Sequence, residues 1–193
     1  MNRFYFENQL TKWAHSAWDR LDLTPPCNLS AVSDFLQLQV VRDTLAPGMY
    51  GVYCRMENGE SIAFIEAAMP AERQAWVWAH EIGHHLLSKK TLGILEIKCS
   101  SLNRDDPVEH QCDHFAKHLL MPEVYLRQSA TDLGHPNRNR TTALAARFGV
   151  TMETMADRLA ELGIGHAKNR RPAMTWDEMH RRMETYRQDL IRD

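Results

Sequence analysis

The chain has 193 residues, 44% hydrophobic and 25% charged, the balance of a globular protein able to bury a core rather than of a disordered tract. Its formal net charge of −2 excludes a generally basic nucleic-acid coat, so any nucleic-acid contact has to come from a local patch.

The first element reads as a helix. Leu10, Trp13, Ala14, Ala17, Trp18 and Leu21 recur at three- and four-residue spacing, and "LTPPCN" ends it. A shorter helix is expected from Ser30 to Leu36, capped by Asn28 or Ser30. Strand-like runs follow: "LQLQVVR", "MYGVYCRM" and "SIAFIEA", the last two joined by "ENGE", whose Asn58-Gly59 is a hairpin turn signal. They predict a small antiparallel sheet. From Glu72 to Ser88 the pattern becomes helical, "GILEIKCS" carries a short strand, and Asp106-Pro107 opens the helix "VEHQCDHFAKHLL", which stops before Met121-Pro122. The fold class is therefore α+β. Further on, "TTALAARFGVTMETMADRLAELGIG" reads as helix, tight turn at Gly149, helix, with Thr151 capping the second and Met152, Met155, Leu159 and Leu162 along one face. The basic linker "AKNRRPA" leads to a capping box at Thr175–Glu178 and a last amphipathic helix with Trp176, Met179, Met183, Tyr186 and Leu190 on one stripe.

No apolar run approaches the roughly 18–20 residues that cross a bilayer, and the N-terminus lacks the uninterrupted apolar segment of a signal peptide. The four cysteines form no CxxC pair. Reduced thiols and a cytoplasmic location are the expectation.

The chemistry sits in "WVWAHEIGHHLL". On a helix, residues i and i+4 share a face, so His80 and His84 can offer two imidazole nitrogens to one metal ion. Glu81 stands about 100° around the helix, off the ligand axis but close enough to hydrogen-bond a water in an open coordination position. A hydrolytic zinc site needs that set: three protein ligands, one exchangeable position and a base beside it. For the third ligand, position 90 is Lys, which excludes a histidine six residues beyond His84. The downstream helix offers Glu109 as ligand and, one turn on, Asp113 to receive the spare N–H of a ligating histidine. The small Cys112 and Ala116 would seat this helix tightly against the first.

Rivals exist. His110, His114 and His118 form a row of their own, which on an otherwise polar face reads as solvated surface, and Glu96 is a second carboxylate; Glu109 is preferred. A second oxyanion donor is sought among Tyr50, Tyr53, Tyr125, His110 and His114, which the sequence does not rank. Cys99 lies ten residues before Glu109, and its thiolate in the fourth zinc position would act as an inhibitory latch. Cys27, Cys54 and Cys112 read as small buried hydrophobes.

These residues resemble the ImmA/IrrE family of zinc metallopeptidases. The resemblance rests on Arg73, Trp76 and "AHEIGHHLL", then on Glu109, Phe115, Ala116 and "LLMP" of the second helix, with Cys112 in place of the usual Ala and Asp113 in place of the usual Asn. It implies a zinc metallopeptidase core over 1–128 and a helix-turn-helix-like segment over 129–166, followed by the basic linker and amphipathic helix of 167–193. It also implies one Zn(2+) on His80, His84 and Glu109, with Glu81 as general base. The implied activity is regulatory: cleavage of a helix-turn-helix repressor protein, derepressing stress, DNA-damage or phage-defence genes.

The stretch "TMETMADRLAEL" is poorly suited to phosphates, with one arginine and three acidic residues, so packing or substrate docking is preferred to groove insertion. Arg138, Arg140, Arg147, Lys168, Arg170 and Arg171 are the candidate contacts for single-stranded DNA as an activator. The alternative function is a zinc-stabilised, non-catalytic binding or regulatory module.

Overall fold

The computed structural model describes residues 3–56, 58–88, 96–100, 106–133 and 138–164. The side chains of 3–7, 96–100 and Arg138 lie outside the described set. So do the basic linker and the C-terminal amphipathic helix expected over 167–193, with Lys168, Arg170 and Arg171.

Helix α1 (Arg3–Arg20) buries Leu10, Ala14, Ala17 and Trp18, the stripe that its spacing predicts. Helix α2 (Leu29–Leu36) starts where Asn28 Oδ1 accepts the N–H of Ala31 at 3.1 Å, which satisfies one of the free N–H groups of its first turn. Four strands follow: β1 (Leu38–Asp43), β2 (Met49–Arg55), β3 (Ser61–Glu66) and, after helix α3 (Ala71–Ser88), β4 (Glu96–Ser100). Helix α4 (Pro107–Leu120) begins at Asp106, whose carboxylate accepts the N–H of Val108 at 2.8 Å, with proline at the first helical position where its missing N–H costs nothing. Then come α5 (Glu123–Asp132), α6 (Arg138–Phe148) and α7 (Met152–Glu161).

The α+β class is borne out, with one correction. The sheet is mixed, in the order β1-β3-β2-β4. The β2–β3 hairpin turns at Asn58-Gly59 as expected, with Gly59 at φ 89° where a side chain would be strained, and β4 adds antiparallel to β2. But β1 pairs parallel with β3, not with its neighbour in sequence. The cause is a long-range clamp: Glu66, at the end of β3, accepts the N–H of Leu45 at 2.7 Å and that of Ala68 at 2.8 Å, while Ala67 N–H reaches Asp43 O at 2.9 Å. The 44–48 connection is thus held across the end of β3, which lies between β1 and β2. Those two amides hold the Glu66 carboxyl below its ordinary range.

One core joins the helices and the sheet. Trp18 donates its indole N–H to Leu119 O at 2.8 Å and stacks on Tyr125, which ties α1 to α4 and α5. Trp78 of α3 donates to Ser33 Oγ of α2 at 2.8 Å, and Arg42 lies 4.8 Å over its ring. Leu144, Phe148, Val150, Met155 and Leu159 of the α6–α7 pair belong to the same buried cluster. Gly149 turns between them at φ 66° and Thr151 Oγ1 caps α7 on the N–H of Thr154, as the sequence predicts. The 128/129 division falls inside α5.

Candidate metal centre

Helices α3 and α4 approach most closely at Gly83 and Cys112. A Cβ built on Gly83 would stand 3.0 Å from Cys112 Cα and 3.2 Å from its sulfur, so any larger residue would have to push the helices apart by a few tenths of an ångström. This approach sets two rows of side chains face to face.

His80 Nε2 and His84 Nε2 point at one another across 3.1 Å. Glu109 meets both, Oε2 at 3.1 Å from His80 Nε2 and Oε1 at 3.3 Å from His84 Nε2. Behind them, Asp113 Oδ1 lies 2.9 Å from His80 Nδ1. Glu81, Ile82 and His84 are wholly buried. Electrostatics follow from the crowding. Burial disfavours charge on His80, but its hydrogen bonds to Asp113 and Glu109 and the nearby Glu81 outweigh that and lift its pKa to about 9. Burial and the His80 charge leave His84 below its ordinary value despite Glu109. Burial would raise Glu109, yet hydrogen bonds from both histidines hold it well below the carboxylate range.

The donor set fits a small divalent cation. Tetrahedral bonds of about 2.0–2.1 Å put ligand atoms about 3.3–3.4 Å apart, close to the 3.1 Å between the histidine nitrogens and the 3.1 and 3.3 Å from each to its own Glu109 oxygen. Cys112 Sγ also lies within 4.8 Å of both histidine nitrogens. Burial first, then the surrounding carboxylates, hold that thiol well above its ordinary pKa, whereas hydrogen bonds from both histidines keep Glu109 low. Glu109 and Cys112 both stand within reach of the two histidine nitrogens as a third donor.

Residues 40–160 match the model of Peptidase_M78, described as the IrrE N-terminal-like domain. The chain belongs to this family. The ImmA/IrrE expectation is thereby borne out, and the family is one of metallopeptidases. Metallopeptidase ImmA of Bacillus subtilis (strain 168) is 27% identical over 92 residues, 48% of this chain and 52% of that protein. A Mycobacterium tuberculosis transcriptional regulator shares the fold at TM-score 0.53 and 16% identity, covering 89% of this chain and 53% of that one. The chain spans about half the length of each relative.

Around this M78 centre the other expected residues are distributed unevenly. Cys99 pairs by its backbone with Gly51 in the β4–β2 ladder, its side chain outside the described set, as is that of Glu96. The histidine row is not solvated surface, because α1 covers two of its members. His114 Nε2 meets Thr11 Oγ1 at 2.9 Å, and the His118 ring stacks on His114 at 4.2 Å and faces His15 at 6.3 Å. Burial, with Arg158 and His114 nearby, pushes His118 down to about 4. Only His110 is exposed. Tyr53 is fully buried with its hydroxyl on His85, Ser88 and Ser61, and the Tyr125 ring packs on Trp18. Arg147 is exposed and Arg140 half-buried, while Arg158, the one arginine of α7, is 1% exposed and bound to Met121 O and Glu161.

Two features escaped the sequence reading. A Cβ on Gly51 of β2 would overlap Glu81 Oε1 and Val77 Cγ1, so this glycine admits the buried carboxylate. Its signal was a glycine inside a strand, beside a register shift between Met49 and Gly51. The second is His85. Its Nε2 meets Leu36 O at 3.2 Å, its Nδ1 meets Tyr53 OH at 3.2 Å, and that hydroxyl also meets Ser88 Oγ at 2.7 Å and Ser61 Oγ at 3.0 Å. No local pattern marks it.

Among the described residues no helix is long and apolar enough to cross a membrane.

Proposed function

We propose that this chain is a zinc endopeptidase that cuts a helix-turn-helix transcriptional repressor in the cytoplasm, releasing stress, DNA-damage or phage-defence genes. The observation that carries the reading is the meeting of His80, His84 and Glu109 within 3.3 Å beside the buried Glu81, in a chain of a metallopeptidase family. The substrate class rests on the resemblance to ImmA/IrrE peptidases.

His80, His84 and Glu109 would hold the zinc, which when bound supplies a Lewis acid that activates water and polarises a carbonyl. Asp113 accepts the His80 Nδ1–H and so fixes the tautomer that presents the Nε2 lone pair. Glu81 takes the proton of the attacking water and passes it to the leaving amine. Its complete burial keeps that proton from bulk solvent.

The test is a cleavage assay on gels, mixing the protein with the repressor encoded nearest its gene, with and without single-stranded DNA. Cutting is expected at one zinc per chain. Glu81→Gln should keep the zinc and lose turnover by about 10³-fold, the scale of a general base. Dependence on DNA would identify single-stranded DNA as the activating signal. Cys99→Ser is the added arm, raising basal cutting if that thiolate is a latch. Zinc binding with no cutting in any arm would leave a zinc-stabilised binding module instead.

A further inference from the structure

The metal centre holds one donor that the proposed reaction does not use. Cys112 Sγ, wholly buried, and one nitrogen each of His80 and His84 lie within 4.8 Å of one another. Helical period explains the company: Cys112 stands one turn after Glu109, so sulfur and carboxylate share the face that α4 turns to α3. Gly83 explains the access. It lies between the two histidines in the chain, and a Cβ there would come 3.2 Å from the sulfur, so the missing side chain leaves room beside it. Among the described residues neither Cys27 nor Cys54 joins this group of ligating atoms.

The two imidazoles and the carboxylate point to a cation whether or not the sulfur takes part. The sulfur changes which cation. A carboxylate oxygen is a hard donor and a thiolate a soft one, so a centre that offers both beside two imidazoles accepts cations of either kind. Tetrahedral bonds of about 2.3 Å to sulfur and about 2.0–2.1 Å to nitrogen put those atoms about 3.6 Å apart, so the present spacing needs to shorten by about 1.2 Å at most. Burial and the neighbouring carboxylates keep the thiol protonated only until a cation lies among them, because a metal-bound thiol gives up its proton outright. The S–H bond then breaks, the sulfur–metal bond forms and the proton leaves to water.

We infer that Cys112 is a ligand for thiophilic cations, which it closes in together with His80, His84 and Glu109, filling the position that hydrolysis leaves open to water. This rests on the metal centre of the peptidase reading above and adds which cations shut it off.

The test loads metal-free protein with cadmium and reads the thiolate-to-metal charge-transfer band in the ultraviolet. The band should saturate at one cadmium per chain. Cys112→Ala should lose it and bind cadmium at least about ten-fold more weakly, the least that even an outer-shell partner is worth, with zinc affinity changed less. The nearly isosteric Cys112→Ser should behave alike, with melting temperatures reporting the folding of each. Cys27→Ala, Cys54→Ala and Cys99→Ser should keep the band. X-ray absorption at the cadmium edge on the Cys99→Ser protein counts sulfur neighbours directly, one expected, even where the Cys112 variants fail to fold. No sulfur neighbour, no band, or a band that survives loss of Cys112 or vanishes with Cys99 would overturn the inference. Cutting by the zinc-loaded wild type is read separately. Cutting without a cadmium band refutes only the thiol, and a band in a protein that never cuts removes the peptidase and leaves a metal-binding module.

Discussion

His84 and His85 are neighbours on one helix, both buried, and they face different worlds. His84 looks into α4, toward another histidine nitrogen and a carboxylate that offers one oxygen to each histidine, at separations that suit a cation's ligands. His85 looks into the sheet, where a tyrosine hydroxyl, two serines and a backbone carbonyl form a neutral network. Adjacent positions on a helix differ by about 100°, so one sequence step carries a residue from a cluster of imidazole and carboxylate to a network of hydroxyls and a backbone carbonyl. Burial alone does not announce a functional histidine; the sign of its company does.

Substituting the pair separates them most sharply. His84→Ala should remove zinc-linked stability, about 4 kcal/mol when free zinc exceeds its Kd about 1,000-fold. A chelator should then no longer shift its melting temperature. His85→Ala should cost about 1–3 kcal/mol through the buried hydrogen bonds it gives up to Tyr53 OH and Leu36 O yet keep the full chelator-sensitive shift. If the chelator moves both variants alike, the contrast fails.

Gly51→Ala presses on the other flank of the centre. The added methyl cannot coexist with Glu81 and Val77 as they stand. Turnover should fall at least ten-fold with zinc retained, because displacement of the base costs alignment rather than affinity. Metal analysis beside kinetics checks this, and wild-type turnover would show that the strand yields.

The smallest effect concerns His118, a half-buried histidine of neither kind. Its folded pKa of about 4 lies below the ordinary 6.5, so the folded state resists its protonation. The stability it contributes is complete above about 6.5 and is lost as pH falls toward 4, by about 1–2 kcal/mol after allowance for solvent. Denaturant titrations across that window should show a shallower slope in His118→Gln, and identical slopes would assign the acid sensitivity elsewhere.

The sequence carried much of this because much of it is local. His80 and His84 share a face by helical period alone, Glu109 and Asp113 repeat the logic one helix later, and Asp106, Asn28 and Thr151 cap where their side chains can reach. What was missed depends on distant partners. The place of β1 beside β3 is fixed by Glu66 gripping a connection 21 residues earlier in the chain. His85 finds its tyrosine 32 residues away, and the row His114–His118 is covered by a helix about 100 residues upstream. Gly51 stood in plain view, but a glycine in a strand does not say which carboxylate will need the room.

The crossing at Gly83 and Cys112 has a further consequence. Cys112 is fully buried at this crossing, and burial holds its thiol well above the ordinary pKa, so while the helices stay together with no cation against it, it stays protonated and shielded from solvent. Oxidant damage at this sulfur therefore keeps time with the opening of the seam: a slow chemical clock, wound by whatever holds the two helices closed.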